Sequence, residues 1–157
     1  TIPSVKATKE GPAPVATLNP YNRVEAETMA WSEKCTISNN KKNGIYISGT
    51  RTKGYIKVRE VDFGTQSPAS FTASLAAGLD GGILEVRLDS VKGKVLSSIS
   101  LPRTGGWDKF KTFTSEVKEK VTGKHDLYLY FNGQNITAGR ELFNFDWWRF
   151  SLNKNEY

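Results

Sequence analysis

Sulfur and imidazole are nearly missing from this chain, whose 157 residues hold one cysteine, Cys35, one methionine, Met29, and one histidine, His125. A lone cysteine excludes an internal disulfide and every cysteine-based metal cluster. It says little about compartment, because secreted domains without disulfides are common. No serine or cysteine sits in a nucleophile context such as G-x-S-x-G, so a Ser-His-Asp or Cys-His machine has no support. Long apolar runs are also missing. Nothing approaches the roughly 18 consecutive apolar residues of a membrane span, and the N-terminus lacks a charged-then-apolar signal pattern. The first residue is Thr1 and not methionine, so we expect a fragment of a longer, processed protein. Helical periodicity is lacking as well; Ser115 to Lys120 offers a short turn at most.

The formal charge of +6 raises the question of nucleic acid. Nucleic-acid binders gather Lys and Arg on one face with stacking aromatics between them. Here the cations are spread out, with Glu60 and Asp62 directly after the group Arg51 to Arg59 and acids mixed into Lys109 to Lys124. A solvated surface is the reading, with no nucleic-acid partner and no membrane partner.

What the chain does have is aromatics, at 11%, β-branched residues, and Gly, Asn and Ser clustered between apolar runs. This is the profile of an all-β sandwich or barrel. Residues 1–20 carry Pro3, Pro12, Pro14 and Pro20 without periodicity, and read as a linker or an arm from a neighbouring domain. The folded module is expected over 21–152, with 153–157 as a tail. Within it the strands predicted are Arg23 to Met29, Ile45 to Ser48, Tyr55 to Val61, Phe71 to Ala77, Ile83 to Asp89, Val95 to Leu101, Asp108 to Val117, Asp126 to Phe131 and Phe143 to Leu152. Ile56 and Val58 alternate with Lys57 and Arg59, and Leu84, Val86 and Leu88 with Glu85, Arg87 and Asp89, as strands with one wet face do. Phe71, Ala73 and Leu75 are expected to point inward. Roughly nine strands in a two-sheet antiparallel β-sandwich, a jelly roll, is the architecture predicted.

Polar groups in apolar company mark the candidate chemistry. In Phe143-Asn144-Phe145-Asp146-Trp147-Trp148, alternation puts Asn144, Asp146 and Trp148 on one face and Phe143, Phe145 and Trp147 on the other. Asp146 then needs a partner that offsets its desolvation. Glu25 and Glu27 share a strand face about 6.6 Å apart between Cα atoms. Two carboxylates at that separation nominally suit glycoside hydrolysis, but side by side on one face they flank no bond. A hard cation such as Ca²⁺, bound by Glu25, Glu27 and Asp146, explains the repulsion better. Exposed acids paired with Lys or Arg are the competing explanation, and spacing alone leaves both open. Trp107 follows Gly105-Gly106 and Tyr46 lies near another turn. A pair of rings with an amide nearby is what a pyranose requires, the rings for its C–H faces and the amide for its hydroxyls.

Taken together, Arg23-Val24-Glu25-Ala26-Glu27, Tyr46-Ile47, Val61-Asp62-Phe63-Gly64, Gly82 to Ser90, Thr104-Gly105-Gly106-Trp107, Gly123 to Leu129 and Phe143 to Trp148 resemble the family 6 carbohydrate-binding modules. The resemblance runs from about Asn19 to Phe150. More locally, Asn19 to Arg23 with Ala30-Trp31-Ser32 is similar to modules that follow arabinoxylan-acting glycoside hydrolases. The resemblance implies a jelly roll and a binding cleft in the loops at one rim. There Tyr46 and Trp107 match the aromatic pair that grips a sugar, and Asn144 the asparagine that hydrogen-bonds it. It implies further that Glu25, Glu27 and Asp146 match the carboxylates of a structural calcium site, that His125 is a strand-end residue, and that Trp147 and Trp148 mainly pack. The stretch Ser48 to Tyr55 is longer and more basic than in many members, and Gly133 to Leu142 is extended; both should border the cleft.

The expectation is a non-catalytic, monomeric module that binds polysaccharide, with xylan or arabinoxylan favoured and β-glucan next. Covalently linked to a glycoside hydrolase catalytic domain, it would target that enzyme, in a secreted, extracellular or cell-surface setting. The alternative is a degenerate sandwich that only packs on its catalytic neighbour.

Overall fold

The alternating segments do become strands, and two sheets bury their apolar faces against each other in a computed structural model that describes residues 17–153. Most of the predicted 1–20 arm and 153–157 tail therefore lies outside the described residues. The part of the arm that is described lies on the sandwich, with Leu18 bridged in parallel to Val61. Eleven strands are present among the described residues: β1 (Val24–Glu25), β2 (Trp31–Glu33), β3 (Thr36–Asn40), β4 (Gly44–Ser48), β5 (Tyr55–Asp62), β6 (Ser70–Ala77), β7 (Gly82–Leu88), β8 (Val95–Leu101), β9 (Gly106–Glu116), β10 (Lys124–Asn132) and β11 (Asn144–Ser151). One sheet runs β3-β4-β11-β6-β9, with β1 also on β11, and the other β2-β5-β10-β7-β8. All the strand pairings are antiparallel. The jelly-roll sandwich expected from the sequence is the fold observed.

Between the sheets lies a core centred on Phe63, Phe71, Trp148 and Phe150, in mutual ring contact, and on Phe131 against Phe143. The alternation of β5 and β7 holds, with Ile56, Val58, Leu84 and Val86 buried. Strand β6 departs from it. All eight of its residues are buried, since it lies inside its sheet and its outward positions carry small side chains.

Three other expectations are corrected. Strands β2 and β3 were not foreseen: both are edge strands, and β3 is largely polar. The predicted strand Arg23 to Met29 shrinks to two residues, because the chain turns at Glu25, whose carbonyl accepts the Thr28 N–H at 2.9 Å. The face assignment around Asp146 fails, because Phe145 pairs with Leu75 while Trp147 pairs with Ser74. Asp146 is the extra residue of a β-bulge, and a bulge resets the period of two. Phe145, Trp148 and Phe150 are thus all in the core, while Trp147 faces outward beneath the Arg23 guanidinium, 4.9 Å from its ring centre.

Candidate functional site

Tyr46 precedes the buried Ile47 on β4, so its ring faces away from the core. The ring meets Phe110 edge-on, with centroids 5.4 Å apart, and its hydroxyl accepts a bond from Asn40 Nδ2 at 3.3 Å. Trp107 reaches the same region through an irregularity. Leu75 pairs with Lys111, yet Ala77 pairs with Gly106, so Trp107 to Phe110 leave the ladder as a wide bulge. The indole lies against Gly78, where an added Cβ would stand 2.7 Å from Cε2 and 2.8 Å from Cδ1. Asn144 is 5% exposed and donates Nδ2 to the Trp107 carbonyl at 2.6 Å. An amide has a second N–H and an acceptor oxygen beyond that bond. Trp107 and Asn144 are therefore joined directly, and Phe110 ties the same bulge to Tyr46.

The two long loops are fixed to this rim from below. Buried Thr50 donates Oγ1 to the Phe143 carbonyl at 2.7 Å and accepts the Phe143 N–H at 3.0 Å. The Thr50 carbonyl takes the Leu142 N–H at 2.8 Å. One threonine thus replaces a strand pairing between Ser48 to Tyr55 and the end of Gly133 to Leu142. Neither Thr50 nor Phe110 nor Gly78 was identified from sequence. Their roles depend on partners 93, 64 and 29 positions away, which no local pattern signals.

Glu25, Glu27 and Asp146 meet at the other feature of β11. The strand pairs with β4 at Phe145 and with β1 from Trp147 onward. At the junction the Asp146 carbonyl accepts the Ala26 N–H at 2.8 Å. Burial, then the Glu25 charge, holds the Asp146 carboxyl above its ordinary range. Glu27 is also raised, by burial first and by Glu25 as well. Arg23 sits 2.8 Å from Glu25 and lowers both. Among the described residues no group of three His, Cys, Asp or Glu is drawn close enough to enclose an ion. Glu27 Oε1, however, is buried without a hydrogen-bond partner. Crowded carboxylate oxygens, one of them unpaired, are of the chemical type that a hard cation takes, although as placed they do not close around one. His125 stands apart, its Nδ1 3.0 Å from Asp89 and its Nε2 2.8 Å from the Thr122 carbonyl.

Against known proteins, the model of the carbohydrate binding module (family 6) matches residues 25–152. An arabinoxylan arabinofuranohydrolase of Bacillus subtilis (strain 168) is 38% identical over 156 residues, 96% of this chain and 29% of that protein. The chain spans less than a third of the length of the curated relatives it matches. Among solved structures, a family 6 carbohydrate-binding module from Clostridium cellulolyticum in complex with xylose superposes with a TM-score of 0.78 at 31% identity, over 85% of this chain and 99% of that one. A β-1,3-glucan binding module of the same family from Bacillus halodurans gives 0.79 at 28% identity, over 87% and 99%.

Proposed function

We propose, since this chain belongs to the family 6 carbohydrate-binding modules, that it binds xylan-type chains, arabinoxylan included, between Tyr46 and Trp107, with Asn144 hydrogen-bonding the gripped sugar. A module of this family binds and does not catalyse. The observation that carries the reading is the Asn144 to Trp107 hydrogen bond, which sets an amide and an indole together at the rim that Tyr46 shares. Its chemistry suits a pyranose: C–H faces on rings, hydroxyls on an amide. The two relatives named for arabinoxylan and xylose favour this polymer over β-glucan. Stacking both faces of one sugar buries about 100–200 Å², or roughly 2.5–5 kcal/mol. After association costs, a Kd of about 10 μM to 1 mM follows for an oligosaccharide. In the longer parent, which we read as a secreted or extracellular glycoside hydrolase, so weak a contact acts by raising the local concentration of the enzyme at its polymer.

The crowded carboxylates support a structural Ca²⁺ held by Glu25, Glu27 and Asp146. The ion would supply positive charge between them and tie β1 to the β11 bulge. Calorimetric titration with xylohexaose in calcium-containing buffer tests the cleft. Saturable heat is expected from the unaltered chain and none from Trp107→Ala; a Trp107→Ala variant that binds as well as its parent would overturn the assignment.

A further inference from the structure

The preceding assignments leave unused a groove of about 430 Å³ at the loop ends, a volume typical of small-ligand sites. It is lined by Ile83, Leu101 and Pro102 together with the polar Ser100, Gln134 and Asn135. Asp80 is the one charged residue of the lining, and two arginines from outside it converge on Asp80. Arg103 approaches the Asp80 carboxylate through its backbone N–H at 3.2 Å and through Nε at 3.5 Å. Arg140 donates Nη2 to the Asp80 carbonyl. One guanidinium thus meets the Asp80 carboxylate and the other its main-chain carbonyl. The Nε of Arg140 is buried with no acceptor, and an enclosed donor without a partner is costly.

The groove also neighbours the sugar-binding rim. The loop from Gly78 to Asp80 carries the Trp107 indole at one end and the arginines at the other, at most about 7 Å of chain apart. Charge around the rim has one sign in excess. Lys41 and Lys42 occupy the exposed β3–β4 turn, whose Asn43 touches the Asp108 carbonyl, and exposed Asp108 and Lys109 follow Trp107, so lysines outnumber acids three to one here. Arg51, by contrast, lies 3.9 Å from Glu141. A neutral polysaccharide has no use for such a surface, whereas an acidic one does.

From this we propose that the groove is a subsite for a uronic acid branch on the chain held at Tyr46, Trp107 and Asn144, with the sugar carboxylate paired to Arg140 and Arg103. The proposal rests on the carbohydrate-binding reading and narrows its ligand to glucuronic-acid-substituted xylan. A carboxylate offers a guanidinium two parallel acceptors, and a small swing of Arg140 toward the groove gives its Nε the partner it lacks. The sugar ring then rests on Leu101 and Pro102.

The test is a titration with two xylo-oligosaccharides of equal length, one bare and one bearing a single glucuronic acid, at low salt and in 0.5 M NaCl. The branched ligand is expected to bind roughly three- to tenfold more tightly at low salt, an advantage that salt largely removes. Arg140→Gln and Arg103→Gln should each reduce that advantage while leaving the bare ligand within about twofold of the parent. The second variant keeps the test valid if the first lowers the melting temperature. Equal affinity for both ligands would overturn the subsite and leave the xylan cleft standing. Failure of both ligands to bind would overturn the carbohydrate-binding reading and the subsite with it.

Discussion

Replacing Gly78 by alanine disturbs the proposed cleft without touching a residue that meets the sugar. Gly78 is not one of the left-handed glycines, so the backbone accepts an alanine. The added methyl would stand 2.7 Å from Trp107 Cε2 and 2.8 Å from Cδ1, whereas carbon atoms rest at about 3.5–4.0 Å. The indole must therefore retreat by about 1 Å. It is partly exposed at the rim and has room to do so, which keeps the stability loss near the low end of the ~1–3 kcal/mol of overpacking. The ring is then out of register with Tyr46 across the sugar. One sugar face on an indole buries about 50–100 Å², or ~1.3–2.5 kcal/mol, equivalent to about 10- to 70-fold in Kd. Trp107→Ala should lose all of this. Gly78→Ala should lose most of it, reading as about tenfold weaker binding of xylohexaose by calorimetry, with the melting temperature lowered by about 3–5 °C. A Gly78→Ala protein that binds within twofold of its parent would refute the claim that this glycine positions the ring.

Three further outcomes are expected. In EGTA, the Glu27 and Asp146 carboxyls sit above their ordinary values, so the folded state takes up protons before the unfolded state does. Metal-free stability should accordingly rise as pH falls through the raised values and level off below the ordinary carboxylate range; melting curves that fall steadily over that window would count against the crowding. With Ca²⁺ present the trend should reverse, as protons displace the ion, and excess EGTA at neutral pH should lower the melting temperature. Glu27→Gln removes one like charge, so it should stabilise the chain in EGTA and destabilise it in Ca²⁺; a shift of the same sign in both buffers would argue against a shared site. Thr50→Val strands the N–H and carbonyl of Phe143, costing about 1–3 kcal/mol, to be read by denaturant unfolding, where a loss under 0.5 kcal/mol would contradict the anchoring role.

How much of this was readable beforehand varies with the physics of each element. Strands with one wet face were legible, because Ile56 and Val58 or Leu84 and Val86 must alternate with charge. Edge strands were not: Thr36 to Asn40 has one hydrogen-bonded neighbour and a mostly exposed surface, so burial imposes no pattern on it. The buried face of β6 was only half visible, since small residues such as Ser74 and Ala76 carry no outward signal of being covered. Glu25, Glu27 and Asp146 were identified as a set, and the fold does bring them to one junction, although by a turn and a bulge and not by a shared strand face. Tyr46, Trp107 and Asn144 likewise reach one rim. Their supports, Gly78, Phe110 and Thr50, act through long-range contacts, and composition does not encode those.

The bulge at Asp146 also constrains how this stretch can evolve. One supernumerary residue adds a carboxylate outside the ladder without disturbing the phase that delivers Trp148 and Phe150 to the interior. Substitution at position 146 changes only the carboxylate, and deletion closes the bulge into an unbroken ladder in which Phe145, Trp147 and Trp148 keep Leu75, Ser74 and Ala73 as partners. Related sequences should therefore vary at this point in the number of residues as well as in their identity, and mutant libraries built on this scaffold should tolerate exchange or loss of residue 146 but not an indel within Trp148 to Phe150, where the ladder is regular.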